Sequence, residues 1–423
     1  MRAADSREFY RMAEYYHESL RDNELRKAMR RALGIPQDAI LIDYGEQPYM
    51  LGGRPKVLGK RVLAKHMQEK FGVTVMETAV PYDTMRSENG IWSVAVPSFS
   101  RKRPHRIGVS RSKIERRSEP LVVPAYQVDQ EDIDHIASDC EEWYRDSPFR
   151  HEIFWDAPWY PCNLAEFNSA FLAFLERKIN IGVGATGKFI DVVLEKMIVE
   201  IGGLDWLLGQ WDAICRAAHL VRGEGVRGFE EYDVPFWIIE PDTGYRRYVM
   251  RSLHSSGGDV VCWETETVSR EATISSVIAL LERGEIFLTF RAIPRALLYS
   301  IFADAEITGG GSTYNEIAAR IAENAGIPYF PYMHLKKNIW HYESVILKGS
   351  RNEKKIYQVA PGFRAEQEEK ICGGAFGVID LIMSVGWDSL RRSVSSFVRR
   401  DIITNNDYED LGTSLYGSSG EGA

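Results

Sequence analysis

Two stretches of this chain place glycine-bearing loops directly ahead of helices, an arrangement suited to holding anions. The first is AILIDYGEQPYMLGGRPKVLGKRVLAKHM, residues 39–67. Its apolar run Ala39, Ile40, Leu41, Ile42 has the pattern of a strand buried on both faces. Residues 43–55 then carry Gly45, Gly52 and Gly53 with Pro48 and Pro55, so the chain must turn. From Lys56, the pairs Val57/Leu58 and Val62/Leu63, then Met67, recur at helical spacing, with Lys60, Arg61 and Lys65 between them. The second stretch is ADAEITGGGSTYNEIAARIAENAGI, residues 303–327. Gly309, Gly310 and Gly311 precede Thr313, Tyr314, Asn315 and Glu316, and Thr313 with Glu316 has capping-box spacing. Ile317, Ala318, Ile321 and Ala325 then mark a helix face. Glycines let an anion approach the backbone, and a helix start adds amide donors and a favourable dipole. In an open parallel sheet, ligands settle where such loops leave the carboxyl ends of strands. The expectation is one crevice, with Gly53 and Gly310 facing each other across it.

Elements must hold these loops in place. Residues 1–38 read as one or two amphipathic helices closed by Gly34-Ile35-Pro36. Residues 73–80 read as a second strand leading into PYDTMRSENG (81–90), a polar loop with Asp83, Arg86 and Glu88. Alternating short apolar and helical runs favour an α/β sheet, with 39–130 as the first half of its core. Residues 131–230 read as a helical insertion. Leu164, Phe167, Phe171 and Leu175 share one face there, and Trp155, Trp159, Trp206 and Trp211 read as core. Strand-like segments resume at 234–240, 245–251, 259–263 and 285–290, so 231–350 reads as the second half of the core. Residues 351–423 read as a C-terminal helical segment ending in a small, polar, disordered tail after Asn405.

The composition is that of a cytoplasmic globular protein: 423 residues, 44% hydrophobic and 26% charged. The charged N-terminus lacks the apolar core of a signal peptide, and no apolar run approaches a membrane span. Five scattered cysteines without a CxxC read as reduced thiols. A net charge of −8 argues against a surface devoted to nucleic acid. Arg101–Arg117 departs from this, with eight Lys/Arg against Glu115 alone. It reads first as a solvated loop and second as a phosphate or RNA contact without aromatic stacking.

Three other motifs carry less. GVGATGK (182–188) matches most of a P-loop, but Phe189 stands where a Ser or Thr should reach Mg²⁺, and a helical pattern precedes it. His334 and His341 could share a helix face, yet no further ligand lies at zinc spacing, so no structural metal is expected. No GxSxG elbow occurs.

The two loop stretches also carry a resemblance. GEQPYMLGGRPKVLGK (45–60) resembles, without a gap, the GQQPGLFGGPLYTIYK motif of the bacillithiol-biosynthesis cysteine ligase (BshC) family. Gly45, Gln47, Pro48, Gly52, Gly53 and Lys60 fall on the motif, Glu46 replaces a glutamine, and Tyr49 replaces a glycine. FRAIPRALLYSIFADAEITGGGSTYNE (290–316) and VPFWIIEPDTGYRRYVM (234–250) resemble segments of shorter relatives. The resemblance implies a Rossmann-like parallel sheet core, related to class I synthetases and nucleotidyltransferases, with helical insertions. It implies a carbon–nitrogen ligase that joins an amino acid such as cysteine to the amino group of a small molecule. Its cofactor would be ATP, with or without Mg²⁺. Gly45, Glu46, Gln47, Gly52, Gly53 and Lys60 would line the pocket, and Gly309, Gly310, Gly311, Tyr314 and Asn315 its opposite wall. The family's acidic-histidine motif falls near residues 81–90, where Asp83 and Glu88 remain without a histidine. The family's long C-terminal coiled-coil segment is short or absent.

An acyl-adenylate route needs ATP held in line, its phosphates neutralised, and a proton accepted from the attacking amine. Loop amides with Lys60, or with Lys336 and Lys337, would supply the second need. Asp83 or Glu88 would supply the third, and Gln47 would orient the substrate. The expected partners are small-molecule amine and amino-acid substrates, with a homodimer implied by the family. Two rival readings are a non-catalytic nucleotide-binding scaffold and a transferase drawing on aminoacyl-tRNA held by Arg101–Arg117.

Overall fold

The computed structural model describes residues 2–45, 47, 49–53, 55–79, 91–96, 105–109, 126–144, 156–157, 159–183, 187–221, 229–230, 232–251, 260–265, 268–308, 312–335 and 378–404. Asp5 caps α1 (Ser6–Ser19) by accepting from the amides of Arg7 and Glu8, and Asn23 caps α2 (Glu24–Ala32) by accepting from Arg26 N. The apolar run expected after Ala39 forms β1 (Leu41–Asp43). The loop expected after it contains a single 3₁₀ turn, Met50–Gly52, and leads to α3 (Pro55–Phe71). β2 (Thr74–Ala79) matches the second expected strand.

β3 (Ser93–Val96) and β4 (His105–Gly108) pair antiparallel, as do the short β5 (Gln127–Val128) and β6 (Cys162–Asn163). Helices α4 (Gln130–Trp143) and α5 (Leu164–Ile179) lie between and after them. The stretch read as a helical insertion also yields β7 (Gly187–Ile190), which pairs parallel with β2. The P-loop look-alike therefore leads into a strand at Gly187, whereas a phosphate loop must leave one. α6 (Asp191–Glu200) and α7 (Gly203–Leu220) follow.

The four later strand-like segments appear as β8 (Asp233–Glu240), β9 (Tyr245–Arg251), β10 (Val260–Glu264) and, after β11 (Ser269–Thr273) and α8 (Ile274–Glu282), β12 (Phe287–Phe290). They do not extend the first sheet. They form an antiparallel sheet of their own in the order β11-β10-β9-β8-β12. After α9 (Ala292–Phe302) the chain returns through β13 (Ala305–Thr308), α10 (Ser312–Ala325) and β14 (Tyr332–His334). His334 is thus a strand residue and does not lie on a helix face, and His341 is outside the described residues. α11 (Val378–Val398) packs on α3 and α5.

The parallel sheet has the order β14-β13-β1-β2-β7, all neighbours parallel, so the fold is α/β. Side chains alternate across it. Ile42, Val75, Ala305, Ile307 and Met333 join one core with Val57, Leu58 and Leu63 of α3 and Val378 of α11. Leu41 and Met76 join a second core with Leu194, Leu207, Leu298 and Ile321 and with Phe236, Ile238 and Leu288 of the antiparallel sheet. Burial on both faces explains the uninterrupted apolar run of β1. No helix among the described residues is long and apolar enough to cross a membrane.

Two buried ion networks fix the sheet to its helices. At the amino edge, Asp304 accepts from Arg26, from Arg30 Nη2 (2.6 Å) and from the Leu41 amide (2.7 Å), with His17 Nδ1 at 3.2 Å. Arg26 and Arg30 also donate to carbonyls at the end of α9, Ile301 and Phe302, where the helix dipole is negative. Beneath the first loop, Arg61 of α3 donates to both Glu77 of β2 and Glu176 of α5. Tyr44 Oη donates to the other Glu77 oxygen at 3.3 Å.

Candidate functional site

Reading across the parallel sheet, the chain steps outward from β1 through β2 to β7 on one side, and through β13 to β14 on the other. The direction of winding reverses between β1 and β13, and in open parallel sheets ligands settle at the carboxyl ends of such a pair. Asp43 ends β1 and is the register partner of Glu306 in β13. The two carboxylates therefore stand side by side on one face. Thr78 lies on the same face of β2, two residues beyond Met76, which partners Asp43.

Asp43 is 3% exposed. Its Oδ1 accepts from Thr78 Oγ1 at 3.1 Å and from the Gly45 amide at 3.2 Å. Burial, and after it the charge of Glu306, pushes the Asp43 carboxyl up to about 7, against the Thr78 hydroxyl, Lys60 and the Gly45 amide, which favour the charged form. Lys60 is not on the surface of α3: it is 4% exposed, and its ammonium donates to the Gly45 carbonyl. Asn315, in the first turn of α10, is buried and donates from Nδ2 to Glu306 Oε2 at 2.9 Å.

Gly45 is required by close approach. A Cβ there would stand 2.8 Å from the Thr78 carbonyl oxygen, which belongs to the strand itself and cannot swing aside. Gly45→Ala is expected to push the loop off β2 and lower stability by about 1–3 kcal/mol, measured by urea unfolding. Unchanged stability would mean that the loop relaxes freely.

Further along the loop, Leu51, Gly52 and Gly53 take φ values of 50°, 77° and 63° in succession. Leu51 holds a left-handed conformation that disfavours side chains, and does so with its own side chain fully buried. Gly52 faces Leu175 and Val378, Gly53 faces Tyr49, and the Gly53 carbonyl accepts from the Val378 amide at 2.7 Å. This part of the loop is thus seated on α5 and α11, whereas Gly45 is seated on the carboxylate pair.

Of the residues chosen from sequence, the structure brings Gly45, Lys60 and Asn315 together around Asp43 and Glu306. Gln47 is half-buried on the same loop, and Tyr314 is 57% exposed beside Asn315. Glu46, Pro48, Asp83, Glu88, Gly309, Gly310, Gly311, Lys336 and Lys337 lie outside the described residues, as does most of Arg101–Arg117. Thr308 and Ser312 bound the second glycine loop and show that it leaves β13 at the same edge as Asp43 leaves β1. Sequence reasoning passed over Asp43, Thr78 and Glu306. The available signal was an acid set into each of two short apolar strands, LID and AEIT.

Two carboxylates, Asp43 and Glu306, against the Lys60 ammonium give the described part of this site an acidic balance at high pH. That balance repels phosphate and attracts an amine. Among the described residues, no group of three or more His, Cys, Asp and Glu could hold a metal ion. No protein-family model matches this chain, and no curated protein matches it.

Proposed function

We propose that this protein is a BshC-like carbon–nitrogen ligase with a Rossmann-like core. It activates an amino acid such as cysteine with ATP and passes the acyl group to the amine of a small molecule. The observation that carries the reading is the convergence at the strand reversal. The residues that resemble the ligase motif, Gly45 and Lys60, meet Asn315 of the second glycine stretch around a carboxylate pair, buried Asp43 and half-buried Glu306. The acidic pair suits the amine, and the loop amides and helix starts on either side suit the anionic end of the nucleotide.

In the activation step a carboxylate oxygen of the amino acid attacks the α-phosphorus of ATP and pyrophosphate leaves. In the transfer step the amine nitrogen bonds the acyl carbon, the acyl C–O bond breaks, and AMP departs. Lys60 places its ammonium against the Gly45 carbonyl, beside the acids, and ties the loop to α3. Asn315 holds Glu306 in place.

The test uses the full chain with cysteine, ATP and glucosaminyl malate, and then with the other amino acids and a panel of primary amines. Amine-dependent release of AMP together with an amide product is expected. ATP binding with no release across the panel would overturn the ligase and favour the nucleotide-binding scaffold, the reading that the missing histidine near residues 81–90 supports. Dependence on aminoacyl-tRNA in place of free amino acid and ATP would move the activity to a transferase.

A further inference from the structure

We propose that Asp43 is the proton acceptor of the transfer step, with Glu306 setting its basicity and Lys60 its charge balance. The proposal rests on the ligase reading and adds to it a catalytic residue that the sequence motif does not contain.

Three observations converge on Asp43. It is the last residue of β1, at the point where the order of the parallel strands reverses, which is where a reacting group would sit. Its nearest acid, Glu306, comes from the adjacent strand in register, so the two carboxylates cannot both ionise at low cost. Its hydrogen-bond donors are a hydroxyl and a backbone amide, Thr78 and Gly45, which hold the carboxylate in one orientation without supplying a full positive charge. Lys60 acts on Asp43 through its charge, and its ammonium donates to the Gly45 carbonyl of the same loop.

The chemistry balances simply. An amine nitrogen bonds the activated acyl carbon, and the acyl C–O bond breaks with its electron pair leaving on the phosphate. A basic amine arrives as an ammonium ion: its first proton passes to an Asp43 carboxylate oxygen before the nitrogen attacks, and its second leaves with the AMP phosphate, whereas a neutral nucleophile needs only the second transfer. A carboxyl that titrates near neutrality suits this transfer better than one near its ordinary value of 3.8. The groups that act on it are Glu306 on β13, Thr78 on β2, the Gly45 amide and Lys60 on α3, while Tyr332 and His334 of β14 lie one strand farther, in register with Glu306 and Thr308. Asn315 of α10 is uncharged.

The sign of the pH effect follows. The Asp43 carboxyl is raised in the folded protein, so its contribution to stability is complete below about 4 and is lost as pH rises through about 7. Asp43→Asn should remove that loss, so the melting temperature of the variant should gain on the wild type between pH 5 and pH 8.

The deciding experiment compares wild type, Asp43→Asn and Glu306→Gln with cysteine, ATP and two acceptors. One acceptor is glucosaminyl malate, replaced by the best amine from the panel if another is preferred. The other is hydroxylamine, a nucleophile already neutral at pH 7. Asp43→Asn should slow amide formation with the basic amine by about 100-fold or more. It should also lose the rising limb of the pH–rate profile near 7 while still forming hydroxamate at close to the wild-type rate. Glu306→Gln should retain the limb and move it toward acid. Equal loss with both acceptors, or an unchanged limb in Asp43→Asn, overturns the role of Asp43 and leaves the ligase standing. Absence of hydroxamate and of amide from the wild type overturns the ligase itself and the role with it.

Discussion

Asp304→Asn is expected to destabilise the protein by about 3–5 kcal/mol, the range for removing one partner of a buried charge network. Asp304 is fully buried, and Arg26 and Arg30, at 2% and 0% exposure, both point their guanidinium groups at it. Asparagine keeps the shape and an acceptor for the Leu41 amide but leaves two guanidinium ions inside the protein without the carboxylate they share. The carbonyls of Ile301 and Phe302 at the end of α9 and, for Arg30, those of Pro36, Gln37 and Ala39 would remain as neutral acceptors. Burial alone would raise the Asp304 carboxyl, but the His17 hydrogen bond and the charges of Arg30 and Arg26 outweigh it and hold the group below 3.8. A depressed carboxyl stabilises the fold above its unfolded value and ceases to as pH falls through its folded one. The wild type should therefore keep this contribution down to about pH 4 and lose it in stronger acid, whereas Asp304→Asn should lack it throughout. Urea unfolding at pH 7 and pH 3 reads both effects. Equal midpoints for the two proteins at pH 7 would show that the network contributes nothing.

Arg61→Met should cost a comparable amount, about 3–5 kcal/mol, for the opposite charge reason. Arg61 has no exposed surface and spans from α3 to Glu77 on β2 and Glu176 on α5. Burial works against its charge, but Glu77 and Glu176 prevail and hold the guanidinium above its usual range. Methionine fills most of the volume and leaves two carboxylates facing each other. The triple variant Arg61→Met/Glu77→Gln/Glu176→Met should recover much of the loss, because a buried ion network and an apolar one of the same size are often equally stable. Thermal melts of the three proteins decide the matter. If the triple variant is no better than the single one, the cost arises from packing and not from charge. The consequence for the crevice is direct, since α3 carries both Arg61 and Lys60 and follows the loop that starts at Tyr44.

Much of the fold could be read from the chain because continuous apolar runs leave little choice. Leu41–Asp43, Thr74–Ala79 and Asp233–Glu240 fell within a few residues of their expected bounds. What the runs do not encode is which sheet they join. The apolar density of β8 is that of a strand covered on both sides, and nothing local separates it from the parallel core. β7 was hidden for a different reason: four residues at a sheet edge, opened by a glycine and a lysine, carry too little apolar signal to stand out. In the candidate site, glycines announced the loops, but their uses differ, and only coordinates separate Gly45 on Thr78 from Gly53 on Tyr49. Lys60 was expected in the pocket from the motif alone, since its neighbours Arg61 and Lys65 give it no local sign of burial. α3 is in fact enclosed along most of its length, which turns both Lys60 and Arg61 inward. Asp43 and Glu306 are single acids whose meaning depends on a pairing between distant strands.

That distance has a consequence for how the protein is made. Leu41 and Asp304 are joined by a hydrogen bond across 263 residues. A ribosome adding about 5–20 residues per second would deliver β1, β2 and β7 well before β13, with a wait on the order of ten seconds or more. For that interval one edge of β1 has no neighbour, and an open strand edge invites pairing with another chain. Arg26 and Arg30 emerge earlier still, as two cations beside that edge whose carboxylate has yet to be synthesised. They favour water over the interior until Asp304 arrives. The same latch that holds the finished sheet would thus discourage its first half from closing on a wrong partner.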